Sequence, residues 1–374
     1  MIIRNGNALI NGNFEQRDVF VENGKITQNG GGDIIDAAGL YVLPGFIDTH
    51  MHGAAGARFS DPKPDINKIT TFQASQGVTA IAATTGSSGF EELQSQFKNI
   101  VAAIKSNTLG ARIEGIHAEG PFLNKQYKGA MNEKNIITPN NETCDALFNA
   151  AEGFIKIISI APEIENGDFA IEYFIRKGVV VSMGHTNATY EQAQHAASIG
   201  ASAATHLFNA MRPFNHRETG VLGFALTDDR ICCEMICDFV HLHPSTIKLI
   251  LNSKGSGKIR MVSDTGHAAG MNLTQFEVDG QMRYVKDGVV RLENGTIAGS
   301  TISLLGGVKN LYSLGVPLEQ ISQMVSENPA KTLSIFDRTG SLEVGKTADI
   351  VLLDSKLDVV MTLVDGKVAY KRQG

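Results

Sequence analysis

"GFIDTHMHG", residues 45–53, is an apolar run that ends abruptly in polar residues. Read as a β-strand, it places Asp48, His50 and His52 on one face, because side chains two apart project the same way. Three polar groups on one face of an otherwise apolar strand need a partner. Neutral imidazole is a common ligand of zinc and iron, and a carboxylate beside it fixes its orientation, so a metal ion is the first candidate. Histidines this close also occur on exposed loops, and the stretch by itself leaves both readings open. The rest of the chain decides between them.

From about residue 45 to 335, apolar runs alternate with segments of helical periodicity. After "GFIDTH" come "VTAIAATTG", "RIEGIHAEG", "IKIISIAPE", "VVVSMGHT", "SAATHLFN", "ICCEMICDF" and "IRMVSDTG". Continuous apolar runs are how strands buried on both faces read, and spacers such as "FEELQSQFKNIVAAIKS" and "NATYEQAQHAASIG" carry the 3.6-residue period. Eight such units predict an α/β protein whose centre is a (β/α)8 TIM barrel. An open doubly wound sheet is the rival, but no G-x-G-x-x-G opens a helix after the first strand.

The two ends read differently. "MIIRNGNALING", "DVFVENGKITQNGGG" and "DIIDAAGLYVLPG" are short alternating segments broken by Asn-Gly and Gly-Gly, the residues that supply the positive φ of tight hairpins. The same texture returns in "ADIVLLD" and "VVMTLVDGKVAY". The expected organisation is a small β-sandwich built from residues 1–43 and 341–374, flanking a metal-dependent barrel over 44–340. Within the barrel, residues 270–300 read as a hairpin excursion, and "SENPAKTLSIF" carries the start signals of a helix.

Composition narrows the function classes. The 374 residues are 43% hydrophobic and 19% charged, with 39 glycines, which is ordinary for a turn-rich enzyme. A net charge of −6 argues against a broad surface for nucleic acid or anionic membrane, though a local basic pocket for one anion is compatible with it. The first residues show no charged leader before a long apolar stretch, so neither signal peptide nor membrane anchor is expected, and a cytoplasmic location is. Cys232, Cys233 and Cys237 fall in an apolar run and read as packing residues; with Cys144 they form no disulfide framework.

In a TIM barrel the catalytic groups collect at the carboxyl ends of the strands. His50 and His52 end the first run, Glu119 the third, His185 the fifth, His206 the sixth and Asp264 the eighth. Any one of them alone would read as a satisfied core polar group. Six at equivalent positions form a one- or two-metal site with a carboxylate able to bridge. Such a site favours amide or ester hydrolysis, with Asp264 as general base and then general acid. His117, two before Glu119, reads as a supporting residue, and His195 as a surface residue on a helix. His216, His243 and His267 fall in loops and are undecided.

The stretches "PGFIDTHMHG", "EGPFLN", "GHTNAT", "THLFNAM", "HRETG" and "SDTGHAAG", closed by "NPAKTLSIFDRTGSLEVGKTADIVLLD", resemble the amidohydrolase superfamily and, within it, the N-acetylglucosamine-6-phosphate deacetylases. The resemblance spans nearly the whole chain. It implies that Glu119, His185 and His206 bind a principal metal and that His50 and His52 bind a second, two divalent ions drawn from Zn, Fe, Mn or Co. Asp264 matches the proton donor and acceptor. Lys156 begins its strand rather than ending it, so the carbamylated lysine of dihydroorotase-like relatives has no counterpart, and Glu119 replaces it.

For an amino-sugar phosphate substrate the resemblance points to Ala130, Asn209, Ala210, Arg217, the stretch Asp238, Phe239, Val240 and His241, and Ile297, Ala298 and Gly299. Arg217 suits a phosphate because its planar fork donates paired hydrogen bonds; from the sequence alone it reads as an ordinary loop charge. Met131 stands where several relatives have His, and His216 is the candidate to compensate. The resemblance also implies a homodimer with the neighbouring subunit near the substrate. Two alternatives are carried: the same chemistry on another N-acyl substrate such as N-acetylgalactosamine 6-phosphate, and a metal-binding barrel that serves as a scaffold, against which the intact Asp264 speaks.

Overall fold

The computed structural model describes residues 1–86, 88–106, 108–278 and 280–373. Eight parallel strands form its centre: β1 Phe46–Met51, β2 Val78–Thr85, β3 Arg112–Glu119, β4 Ile155–Ile160, β5 Val180–Met183, β6 Ala203–Ala204, β7 Cys232–Ile236 and β8 Ile259–Val262. Each bonds to the next in chain order. The ring closes where the Asp264 amide donates to His50 O at 2.9 Å and the His52 amide donates to Thr265 O at 2.7 Å. β1 and β2 are buried along their whole length, as unbroken apolar runs require when both faces are covered.

A helix follows every strand. That over Phe90–Ser106 shows why: Leu93, Gln96, Phe97, Ile100 and Val101 repeat at three and four residues and make one buried stripe. The helix Tyr190–Ser198 starts at a reciprocal cap between Thr189 and Gln192. The expectation of a new helix at "SENPAK" needs correction. The chain is already helical from Leu318, passes through a π-helical turn at Gln323–Glu327 and resumes as α-helix over Asn328–Thr332. Pro329 lacks an N–H, so it sits at the start of the resumed turn, where no donor is required.

The chain ends form two further sheets, the first from both ends and the second from the N-terminal segment alone. One, of six strands, runs in the order Lys367–Lys371, Val359–Val364, Ile350–Leu353, Tyr41–Pro44, Asn7–Ile10, Asn13–Gln16; the other, of four, runs Lys25–Thr27, Val19–Glu22, Ile2–Arg4, Ile34–Asp36. Their inner faces share a core of Ile3, Val21, Val42, Ile350, Leu352 and Leu363. Two of the four Asn-Gly pairs in the N-terminal segment are two-residue hairpins with both residues at positive φ, Asn11 and Gly12 between Ile10 and Asn13, and Asn23 and Gly24 between Glu22 and Lys25. Arg112 on β3 ties the barrel to this sandwich through Asp349, its two guanidinium nitrogens 2.7 and 2.5 Å from the two carboxylate oxygens.

The excursion between β8 and the last barrel helix is larger than a hairpin. It is a four-stranded antiparallel sheet, Gln275–Val278, Gln281–Lys286, Val289–Leu292 and Ile297–Ser300, and it forms one wall of the cavity at the carboxyl ends of the barrel strands.

Candidate active site and metal centre

The carboxyl ends of β1, β3, β5, β6 and β8 bring His50, His52, Glu119, His185, His206 and Asp264 together around the Glu119 carboxylate. Glu119 Oε1 lies 3.1 Å from His185 Nε2, 3.0 Å from His206 Nε2 and 3.4 Å from His50 Nε2, and Oε2 lies 3.2 Å from His52 Nε2. Asp264 Oδ1 closes the group, 3.3 Å from His52 Nε2 and 3.6 Å from His50 Nε2. Three of these side chains are aimed by unusual backbone: His185, His206 and Asp264 have φ of 49°, 28° and 48°, positive values seldom adopted by residues other than glycine. They turn the chain sharply as each strand ends.

Whether the group suits a cation can be tested on its own hydrogen bonds. His185 Nδ1 faces the Tyr127 carbonyl at 2.9 Å, and a carbonyl only accepts, so the proton sits on Nδ1. Its Nε2 is then a lone pair, 3.1 Å from His206 Nε2 and beside a carboxylate. His50 repeats the pattern: Nδ1 faces the Glu234 carboxylate at 2.9 Å, and Nε2 is buried with no hydrogen-bond partner. Acceptors aimed at acceptors need positive charge between them, which a divalent ion supplies. The groups Glu119, His185, His206 and His50, His52, Asp264 each gather their ligand atoms closely enough for one ion.

Charge regulation says the same. Burial disfavours the charged form of every group here, yet the carboxylates Glu119 and Glu234 hold His50 well above the ordinary histidine range, and Asp264 and Glu119 raise His52 to about 9. Against the same burial, His50, His185 and His206 hold Glu119 well below the usual carboxylate range, and His52 lowers Asp264. The pocket therefore attracts cations, protons or metal.

The opening motif behaves differently from expectation at one position. Asp48 does not face the centre. Its Oδ1 accepts from the His50 amide at 3.2 Å and its carboxylate accepts from the Ser263 hydroxyl, so it fastens β1 to β8. Burial raises it to about 6. The carboxylate that orients His50 is Glu234, which the sequence reading passed over as part of an apolar strand. His117 supports the centre without joining it, with Nδ1 3.0 Å from Thr49 O and Nε2 2.9 Å from Ser159 Oγ.

The centre opens into a cavity of about 390 Å³. Ala130, Asn209, Ala210, His241, Ile297, Ala298 and Gly299 line it, and so does Met131. Asp238 does not line it but aims His241, its Oδ2 2.6 Å from His241 Nδ1 and its Oδ1 accepting from the amides of Val240 and His241 at 2.9 and 2.8 Å. Phe239 and Val240 complete that loop outside the cavity lining. Arg217 and His216 are exposed on a loop and do not line this chain's cavity. The sequence reading missed Arg58, Phe276, Gln281 and Arg283 on the cavity wall, and had left His267, which stacks on Phe276 at 5.0 Å, undecided. His195 is exposed beside Asp168 at 2.9 Å, and His243 caps the helix Pro244–Lys254.

Fold and site together define a (β/α)8-barrel protein with a centre fitted to divalent metal at the carboxyl ends of its strands. The chain belongs to the Amidohydrolase family, whose profile matches residues 41–369. It is 34% identical to an N-acetylglucosamine-6-phosphate deacetylase of Lysinibacillus sphaericus, over 98% of this chain and 97% of that one. It is 33% identical to an N-acetylgalactosamine-6-phosphate deacetylase of Escherichia coli O157:H7, over 88% and 87%. Among solved structures, an N-acetylglucosamine-6-phosphate deacetylase of Thermotoga maritima matches with a TM-score of 0.91 at 33% identity, covering 100% of both chains. A mutant N-acetyl-D-glucosamine-6-phosphate deacetylase of Mycobacterium smegmatis in complex with N-acetyl-D-glucosamine-6-phosphate matches with a TM-score of 0.93 at 29% identity, covering 99% of both. No helix among the described residues is long and apolar enough to cross a membrane.

Proposed function

We propose that the chain is a metal-dependent deacetylase that hydrolyses N-acetylglucosamine 6-phosphate to glucosamine 6-phosphate and acetate. In this reading it works in the cytoplasm as a homodimer divided at residues 1–43, 44–340 and 341–374. The observation that carries the reading is the convergence of four imidazole Nε2 atoms on one buried carboxylate, with Asp264 beside them and a cavity of about 390 Å³ in front. Glu119, His185 and His206 would hold one ion and His50 and His52 the second. Divalent ions held by these residues would acidify a bound water and polarise a bound carbonyl.

The chain's own residues supply the rest. Asp264 stays ionised at neutral pH, because His52 keeps its pKa low against the cost of burial. It accepts a proton from the attacking water at Oδ1 and delivers it to the departing amine nitrogen. His241, with Nδ1 on Asp238, offers Nε2 to the acetyl oxygen or a sugar hydroxyl, and burial is overridden by Asp238, which raises its pKa toward the charged, donating form. Asn209 and the backbone of Ala210 offer neutral hydrogen bonds, and Ala130 with Ile297, Ala298 and Gly299 shape the sugar site. Arg217 lies outside this chain's own cavity, so its phosphate role is assigned to the substrate of the neighbouring subunit.

Parallel assays with the 6-phosphates of N-acetylglucosamine and N-acetylgalactosamine, and with unphosphorylated N-acetylglucosamine, test the reading. Preferred turnover of N-acetylglucosamine 6-phosphate is expected. Preference for the galactose epimer would favour the second reading, which the relative from Escherichia coli O157:H7 supports; epimers that differ in one hydroxyl are separated by one well-placed hydrogen bond. Equal turnover without phosphate would remove Arg217 from its role. Elemental analysis of the purified protein, expected to give two ions per chain, tests the metal assignment.

A further inference from the structure

Glu234 is a carboxylate on β7 within an otherwise apolar strand, with none of its surface exposed. Its Oε1 lies 2.7 Å from Nη2 of Arg260, which is equally buried and donates from Nη1 to Thr332 Oγ1 at 2.9 Å. A buried ion pair is expensive to desolvate and seldom stabilises a fold better than packed apolar side chains would. Its other contacts show what the pair does. Oε2 lies 2.9 Å from His50 Nδ1 and accepts the His206 backbone amide at 3.1 Å. A carboxylate bound to arginine can only accept, so His50 keeps a proton on Nδ1 and Nε2 is the nitrogen left to bind an ion. The same oxygen holds the amide of His206, the residue whose φ of 28° turns its ring inward. A separate cation site at His50, His117 and Glu234 is ruled out as the alternative, because both ring nitrogens of His117 are engaged by Thr49 O and Ser159 Oγ.

We propose that Glu234, anchored by Arg260, is a positioning residue that sets the tautomer of His50 and the backbone of His206, and thereby tunes the affinity of both ion sites through one oxygen atom. The assignment of those histidines to different ions rests on the two-ion reading above.

The test compares wild type, Glu234→Gln and His50→Ala, each stripped by chelator and titrated with Co(II) or Zn(II) against a chromophoric competitor. Bound ions are counted by elemental analysis, and folding is followed by far-UV circular dichroism. Glu234→Gln is expected to fold, to bind the ion that His50→Ala loses roughly ten- to a hundredfold more weakly, and to shift the ¹⁵Nδ1 resonance of His50 in the Zn(II)-loaded protein. A folded Glu234→Gln with wild-type affinities and a wild-type His50 ¹⁵Nδ1 shift overturns the proposal. Should that variant fail to fold, Glu234→Asp, which withdraws the carboxylate by one methylene, carries the test: weakened binding supports the role and wild-type binding overturns it. If wild type itself holds a single ion, the two-ion reading fails separately. Loss of affinity for that one ion in Glu234→Gln then still supports the role of Glu234, and unchanged affinity overturns it.

Discussion

Glu119 touches four histidines and therefore decides what its neighbours can do, but Asp264 is the residue whose chemistry can be isolated. Asp264→Asn keeps an oxygen near His52 and removes the proton acceptor; turnover is expected to fall by roughly 10²- to 10⁴-fold while elemental analysis finds the wild-type ion content. Unchanged turnover would end its role as proton shuttle. The charged pocket also predicts a pH signature in the metal-free protein. His52 is raised from 6.5 to about 9 by Asp264 and Glu119 despite burial, so the folded state binds its proton more tightly than the unfolded chain does. That stabilisation is complete below about 6.5 and disappears as pH rises through about 9. Asp48, raised to about 6 by burial, acts with the same sign at lower pH, between its ordinary 3.8 and that value. The Tm of chelated protein should therefore fall as pH rises from 6.5 to 9, and added metal, which displaces the protons, should flatten the fall. A flat profile without metal would contradict the charged state assigned to His52. The six converging residues were legible in the sequence because each follows an apolar run directly. Glu234 and Arg260 were hidden because they lie inside such runs, and a buried ion pair leaves no periodic trace. Asp48 was misread for the opposite reason: period-two alternation gives the face of a strand but not the partner, and Ser263 was nearer than the centre.

Elements explain why the motif ends in glycine. Gly53 and Ala54 pair antiparallel with Ala57 and Arg58 in a short ribbon directly after His52. A Cβ on Gly53 would stand 2.2 Å from Ala57 O and 2.8 Å from Arg58 Cα, both backbone atoms that cannot swing aside. Gly53→Ala must therefore open the ribbon and displace His52. A stability loss of about 1–3 kcal/mol in denaturant unfolding is expected, together with fewer ions per chain; wild-type stability and ion content would show that the ribbon does not set His52. At this scale the sequence was informative wherever a single rule governed an element. Unbroken apolar runs revealed the barrel strands, and Asn-Gly pairs revealed the hairpins of the sandwich. It was weakest at residues 275–300, where exposed and half-buried strands alternate without a strong apolar face, so four strands read as one hairpin. The helical stretch around Pro329 was equally opaque, since a proline that normally opens a helix here follows a π-helical turn in the midst of one.

In the whole molecule, the barrel supplies the centre, the 275–300 sheet supplies a wall, and the sandwich is locked to the barrel by Arg112 and Asp349. The arginine to which the proposed function gives the phosphate lies outside this arrangement: the cavity of a single chain does not include Arg217. If two subunits share their sites, each exposed Arg217 serves the cavity of the other, and two different defects can complement each other. Arg217→Met should raise KM for the phosphorylated substrate by roughly ten- to a hundredfold, the loss expected for a charge-assisted phosphate contact, and leave KM for the unphosphorylated sugar unchanged. Asp264→Asn should keep its loss of roughly 10²- to 10⁴-fold in turnover at any substrate concentration. When the two variants are co-unfolded and refolded together, a mixed dimer contains one cavity with both an intact Asp264 and a partner that has Arg217. Random pairing of two-fold dimers then restores about a quarter of wild-type sites, visible as a low-KM phase with about a quarter of wild-type turnover, an amplitude that neither parent reaches. If Arg217 instead reached its own cavity by a loop movement, every chain would keep its own defect and no low-KM phase would emerge. Refolding the mixture at protein concentrations too low for dimers should abolish the phase in the first case, which separates a shared site from a mobile loop without any structure of the complex.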